Sequence, residues 1–224
     1  MGRAILTLLW KDLRVELRTK EILTTMMVLA LLILVILNVA MGQNVVTVKL
    51  AASGVLWVVF TFAATLGLSR VFLVEKERGQ LSGILLAPMD RSAIFLGKMI
   101  GSTILVLLVE AVALPVFVVL FNFPLGGRVG PLLLPLFLGT VGFIAVETLF
   151  SAISAQTRLR EILLPLLAFP VAMPALVGAV GATAKVLDGL PLQSAAPELQ
   201  LLVAFDILFV AIGLVVFEYV VEEE

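Results

Sequence analysis

Ile22-Leu-Thr-Thr-Met-Met-Val-Leu-Ala-Leu-Leu-Ile-Leu-Val-Ile-Leu-Asn-Val-Ala-Met41 contains no charged residue, and none follows until Lys49. A helix that crosses the hydrocarbon core of a bilayer needs about 20 mostly apolar residues, each rising ~1.5 Å. This stretch meets that length. Further runs of the same kind place spans at 50–69, 99–121, 132–153, 162–184 and 199–221. The sequence therefore predicts an all-α, polytopic membrane protein with six transmembrane helices. The span at 162–184 carries Pro165, Pro170 and Pro174. Proline frees a backbone carbonyl and crowds the preceding turn, so this span is expected to be bent or broken there.

Composition points the same way. Of the 224 residues, 62% are hydrophobic and 14% charged. A soluble domain carries about 45–50% apolar and about 25% charged residues. A soluble fold could not bury the excess, so lipid must solvate it. The gaps between apolar runs are too short for a second globular domain, and residues 1–224 read as a single transmembrane domain. The chain has no cysteine and no histidine. That removes disulfides, thiolate chemistry, Cys/His zinc sites and Ser-His-Asp catalysis. No catalytic residue and no metal site is expected. No G-x-x-x-x-G-K-[ST] occurs, so any ATP hydrolysis belongs to a partner.

Lysine and arginine in the connections set the orientation. Arg3, Lys11, Arg14, Arg18, Lys20, Arg70, Lys76, Arg78, Arg91, Lys98, Arg158 and Arg160 fall on one side of the six spans, and only Lys49, Arg128 and Lys185 on the other. The first side is thus expected to be cytoplasmic and to hold both termini. Residues 1–21 do not read as a secretory signal, because the basic region and apolar run are too long and no A-x-A site follows. Leu6, Trp10, Leu13 and Leu17 recur at helical spacing, with Lys11, Arg14 and Arg18 on another face. This predicts an amphipathic helix in the cytoplasmic interface, in contact with membrane lipid.

The second connection reads Arg70-Val-Phe-Leu-Val-Glu-Lys-Glu-Arg-Gly79-Gln-Leu-Ser-Gly-Ile-Leu-Leu-Ala-Pro88-Met-Asp-Arg-Ser-Ala-Ile-Phe-Leu-Gly97-Lys98. The charged tetrad 75–78 ends one helix and Gly79 breaks it. A short apolar segment, 81–86, is stopped by Pro88. Asp90 is placed to cap the next helix. A short surface helix presenting Leu81, Ile84 and Leu85 needs a partner to bury them. This ordered pattern resembles the coupling loop of ATP-binding-cassette export permeases. A second marker is Gly142-Phe143, followed by Ser151-Ala-Ile-Ser-Ala-Gln-Thr-Arg158-Leu-Arg160-Glu161 and the Pro165, Pro170, Pro174 series. Together with Lys11-Asp-Leu-Arg-Val-Glu-Leu-Arg18 and the six-span plan, it is similar to the haem exporter protein B family. That family is the membrane permease subunit of the cytochrome c maturation ABC transporter.

The resemblance implies an ABC-2-type permease architecture in a bacterial cytoplasmic (inner) membrane. It implies that 70–98 is a cytoplasmic coupling loop, in which Glu75, Glu77, Arg78, Gly79, Leu81, Ile84, Leu85, Leu86 and Pro88 engage a cytosolic ABC ATPase. It also implies a haem-handling membrane subunit, a small single-span subunit and a periplasmic haem chaperone. Haem is the cargo of the complex, and the chain's part is in haem transfer to that chaperone or in its release. A symmetric ATPase offers two grooves, which makes a homodimer plausible. No nucleic-acid partner is expected.

Four acids fall in or near spans: Glu110 near the middle of the third, Glu147 in the cytoplasmic half of the fourth, Asp206 in the outer part of the sixth and Glu218 near its inner end. A carboxylate in the bilayer is costly and normally faces the bundle interior or water. Glu110 and Glu147 could build a proton or substrate path, or could fix helix packing. No lysine or arginine is expected deep in a span to pair with them. Two other functional classes compete with the ABC permease. A proton-coupled carrier using Glu110, Glu147 and Asp206 leaves the 75–98 pattern unexplained. An intramembrane enzyme lacks a nucleophile–base pair. Without His or Cys, only Met or Tyr219 could ligate haem iron, and Met26, Met27, Met89, Met99 and Met173 are expected to be packing residues. The chain is therefore expected to bind no cofactor directly. The purified chain alone, mixed with haem, should give no iron-ligation spectrum. A spectrum abolished by a Met→Leu change would contradict this.

Overall fold

The computed structural model describes residues 2–42, 45–68, 90–154 and 160–222, and side chains over these segments except 160–165 and 218–222. All regular structure among the described residues is helical. The helices are α1 (Gly2–Thr19), α2 (Glu21–Met41), α3 (Val45–Leu68), α4 (Arg91–Leu120), α5 (Val129–Ser154), α6 (Arg160–Leu187) and α7 (Ala196–Glu222), with short 3-10 turns at Gly126–Arg128 and Leu192–Ala195. Six helices, α2 to α7, are long and apolar enough to cross a membrane. The protein is a polytopic membrane protein of the kind its apolar runs predict.

Five spans begin and end within a few residues of expectation. The exception is the entry to α4, which starts at Arg91, a full two turns before 99. Residues 91–98 were assigned to the cytoplasmic connection, although the Asp90 cap placed the start of a helix directly after it. In the structure Lys98 is buried within the helix, 3% exposed, and its Nζ lies 2.8 Å from Asp12 Oδ2 of α1. Asp90 occupies the N-cap position of α4, but its carboxylate makes no capping bond. The Ala93 N–H instead donates to the Asp90 backbone carbonyl at 2.9 Å, so the expected side-chain cap is replaced by a main-chain turn.

α5 is the most buried of the six spans and α2 the least. α3, α4, α6 and α7 all pack on α5. Close approach is possible because the facing residues are small. A Cβ on Gly139 would collide with the Trp57 indole and with the Ala179 methyl. On α6, Ala168, Ala172, Ala175, Ala179 and Ala182 are fully buried and recur at helical spacing along one stripe. Small residues let apolar helices approach closely where lipid provides no hydrophobic drive for association. Pro170 and Pro174 lie on the opposite, exposed side of α6, and the helix runs without interruption through both. The broken alternative therefore does not hold: the prolines point away from the tight α5 contact and the helical path continues past them. Pro115 and Pro135 likewise sit inside helices, in α4 and α5.

At one end of the bundle, α1 turns into α2 through a single residue, Lys20, which adopts φ 56°. Lys20 supplies no side-chain cap to α2. Glu16, 5% exposed, does so from the preceding helix: its Oε1 accepts from the Leu23 N–H at 2.7 Å. This satisfies one of the free donors at a helix start. At the opposite end, orphan carbonyls of helix C-termini are also met by side chains. Asn38 Nδ2 donates to Leu120 O at 2.7 Å, and Arg128 Nη1 donates to Leu187 O at 2.6 Å. Lys185, read as an external loop charge, lies in the last turn of α6 and donates to Ser194 O and to Glu198 Oε1 at 2.9 and 2.6 Å.

Removing the Glu16 acceptor should cost what a lost N-cap costs, about 1 kcal/mol. Glu16→Ala is expected to lower the thermal midpoint in detergent by about 2–4 °C, and Glu16→Gln, which keeps an acceptor, by less. Equal losses in both variants would show that the cap is not what Glu16 supplies.

Candidate functional site

The coupling residues inferred from sequence, Glu75, Glu77, Arg78, Gly79, Leu81, Ile84, Leu85, Leu86 and Pro88, lie outside the described residues. The two helices that flank them are described, and both are tied down. On the α3 side, Ser151 Oγ of α5 donates to Leu68 O at 3.3 Å. On the α4 side, the buried Lys98 meets Asp12 of α1. Segment 69–89 thus leaves a helix fixed to α5 and enters one fixed to α1.

The three acids whose side chains are described are all buried: Glu110 at 3% exposure, Glu147 at 0% and Asp206 at 8%. They do not form one cluster. Each occupies a different seam around α5. In the α4/α5 seam, Thr140 Oγ1 donates to Glu110 Oε1 at 2.5 Å. In the α3/α5 seam, Thr65 Oγ1 donates to Glu147 Oε1 at 2.8 Å. Asp206 of α7 lies against Gly142 of α5, where any Cβ would collide with its Oδ1. Thr140 and Glu147 are seven residues apart, two turns or about 10 Å along one face of α5. Gly142 is on the opposite face, two residues and roughly 200° from Thr140. Glu110 Oε2, Glu147 Oε2 and Asp206 Oδ1 are buried with no hydrogen-bond partner. The side chain of Glu218 is outside the described set.

Sequence reasoning named the acids but not the groups that hold them. Thr65 and Thr140 are buried hydroxyls on neighbouring helices, and nothing in local periodicity pairs them with a glutamate. Trp57 was likewise missed. Its Nε1 donates to Thr183 Oγ1 of α6 at 3.0 Å, and its ring fills the space left by Gly139. A tryptophan in a span facing a glycine on another helix is a weak signal, legible only once the helices are paired. Of the methionines, Met26 is fully buried against Gly67, as a packing residue would be. Met99 is also buried and Met27 half-buried. Met173 instead faces outward at 52% exposure, because it falls on the side of α6 away from the alanine stripe. Met89 lies outside the described residues.

The amphipathic reading of α1 captured one of two working faces. Leu6, Trp10 and Leu17 are 65%, 67% and 62% exposed, a stripe the protein itself does not cover. The packed face is formed by Leu8, Leu9, Asp12 and Glu16, of which Leu8 and Leu9 seat against Gly97 and Gly101 of α4.

Residues 3–222 match the CcmB protein family. The chain belongs to that family. Among relatives, it is 27% identical over 186 residues to heme exporter protein B of Rhodobacter capsulatus, covering 83% of this chain and 85% of the relative. It is 26% identical over 192 residues to heme exporter protein B of Pseudomonas aeruginosa, covering 85% of each. The protein of the same name from Bradyrhizobium diazoefficiens is 24% identical over 210 residues, 94% of this chain and 93% of the relative. For this CcmB family member the match spans all six membrane helices and α1, in keeping with a resemblance that already rested on markers spread over most of the chain.

A carboxyl held by a single hydroxyl gives a testable energetic coupling. Thr65→Val leaves both Glu147 oxygens without a hydrogen bond and should cost about 1–3 kcal/mol. The double variant Thr65→Val/Glu147→Leu removes the polar group as well and should recover most of that loss. Thermal midpoints of the four proteins in detergent measure the cycle. Strictly additive losses would mean that the pair is not coupled.

Proposed function

We propose that this chain is the membrane subunit of an ABC transporter that exports haem for c-type cytochrome biogenesis. It couples a cytosolic ATPase to haem transfer to a periplasmic haem chaperone, or to release of the loaded chaperone. The observation that carries this reading is the CcmB family match over residues 3–222, with relatives named heme exporter protein B.

In this reading the chain lies in a bacterial inner membrane with both termini in the cytoplasm. The lysine and arginine distribution supports that direction. It puts α1 and segment 69–89 on the ATPase side, and the Gly126–Arg128 and Leu192–Ala195 turns on the chaperone side. The outward Leu6, Trp10 and Leu17 stripe then lies in the headgroup layer. Glu75, Glu77, Arg78, Gly79, Leu81, Ile84, Leu85, Leu86 and Pro88 are the residues this reading assigns to ATPase coupling. The ATPase supplies the nucleotide site, and haem is cargo handled chiefly by another membrane subunit. The chain itself is non-catalytic. Placement of Glu110, Glu147 and Asp206 in three separate seams favours a packing role for these acids over a continuous proton path.

Co-expression with the ATPase and affinity purification test the assignment. The unmodified chain should retain the ATPase. Leu85→Asp puts a charge into an apolar contact, and Gly79→Pro alters the backbone at its start. Each should reduce retention about tenfold or more, the factor that 1.4 kcal/mol carries. Retention equal to the unmodified chain in both variants would remove segment 69–89 from the interface.

A further inference from the structure

Among the described residues, the lysine most deeply buried in a membrane helix is Lys98, which forms an ion pair with α1. Lys98 Nζ is 2.8 Å from Asp12 Oδ2, and Asp12 Oδ1 is 3.1 Å from Lys11 Nζ. The surrounding contact is tight and apolar. A Cβ on Gly97 would lie 3.2 Å from Leu8 Cβ, and one on Gly101 would lie 3.5 Å from Leu9 Cδ1. The glycines are four residues apart, so they form one seat on a single face of α4. The Lys98 side chain is 3% exposed and that of Asp12 23%, so the pair is drawn largely out of water and is made only while the two helices keep their register. The pair therefore fixes α1 on α4 in one register.

Together with α2, these helices close into a ring of polar ties. α1 passes into α2 through Lys20, with Glu16 capping α2. At the other end of the bundle, α2 returns to α4 through Asn38 and Leu120 O. Segment 69–89 runs directly into α4 at Arg91, two turns before the Lys98 pin. Any displacement delivered there must either carry α1 along or separate Lys98 from Asp12.

We propose that Asp12 and Lys98 are positioning residues that lock α1 to the first third of α4, so that the two helices take up the motion of segment 69–89 as one body. This rests on the ATPase-coupled reading above. The outward stripe of α1, Leu6, Trp10 and Leu17, gives that body its bearing on the lipid surface.

The chain has no cysteine, which permits a direct test. Leu8→Cys/Gly97→Cys places two Cβ atoms near the 3.5–4.5 Å that a disulfide spans. The complex with its ATPase is purified, oxidised, and assayed for ATP hydrolysis and for haem-loaded chaperone released per ATP. The oxidised unmodified complex is the control. A one-body mechanism predicts that the disulfide leaves both readouts within about twofold of the reduced complex, a shift of ~0.4 kcal/mol. Loss on oxidation, reversed by reductant, would show that α1 slides on α4 and would overturn the proposal.

Asp12→Ala supplies the second arm. It should retain the ATPase, yet lower chaperone release per ATP about tenfold, equivalent to ~1.4 kcal/mol. The Leu8–Gly97 crosslink in the Asp12→Ala background should restore it. An unchanged ratio in Asp12→Ala, or no rescue by the crosslink, would overturn the proposal. Failure of the unmodified chain to retain the ATPase would instead sink the coupling reading on which it rests, and that result is read before any variant is made.

Discussion

A carboxyl buried among membrane helices has no water to turn to, and in this protein each of the three described ones sits in a seam of α5. Glu110 is held through Thr140, Glu147 through Thr65, and Asp206 against the bare Cα of Gly142. The arrangement requires α5 to be approached closely from several sides. Gly139 and Gly142 on α5 and the alanine stripe of α6 provide that closeness. A larger residue at either glycine would push away the helix that carries the polar partner. Packing and polar satisfaction in this bundle are therefore one constraint, with α5 as the common member.

Apart from Lys185–Glu198, which joins α6 to α7, and Arg128–Leu187 O at the end of α6, the polar ties described between helices fall into two sets. Trp57–Thr183, Thr65–Glu147 and Ser151–Leu68 O join α3, α5 and α6. Asp12–Lys98, Glu16–Leu23 N–H and Asn38–Leu120 O join α1, α2 and α4. Apolar contact between α2 and α3 and the Glu110–Thr140 bond connect the sets. Segment 69–89 is the covalent bridge from one set to the other, since it leaves α3 and enters α4. A motor acting on that segment would work between two internally braced groups of helices, which suits a subunit that transmits motion rather than performs chemistry.

The six spans were legible because long uncharged runs have no other way to be solvated. Their ends were legible only approximately, since Lys49 and Lys185, read as loop charges, lie inside α3 and α6. The start of α4 was marked by Asp90, but the burial of its first turns was not, because Lys98 looks like a surface residue until Asp12, far off in the chain, pairs with it. The same long-range pairing hid the packed face of α1. Local periodicity showed Leu6, Trp10, Leu13 and Leu17, of which Leu13 is half-buried and the others exposed, while the face that packs on α4 mixes Leu8 and Leu9 with Asp12 and Glu16 and has no clean apolar pattern. The acids were visible as anomalies in apolar runs. Their holders, Thr65 and Thr140, were not, since a threonine in a span is unremarkable until the neighbouring helix is placed. The prolines of α6 misled in one respect: proline position along the sequence does not say which side of the helix the ring occupies, and here Pro170 and Pro174 face outward.

The central claim is directional: the face bearing segment 69–89 must meet the cytosol, where an ATPase can reach it. Single cysteines in the otherwise cysteine-free chain decide this, with Arg78→Cys in the segment and Asp188→Cys at the opposite end of the bundle. Intact spheroplasts are treated with a membrane-impermeant maleimide. Labelling of Asp188→Cys in intact cells, and of Arg78→Cys only after permeabilisation, is the predicted result. Labelling of Arg78→Cys from outside would put the coupling segment beyond any cytosolic motor and contradict the account.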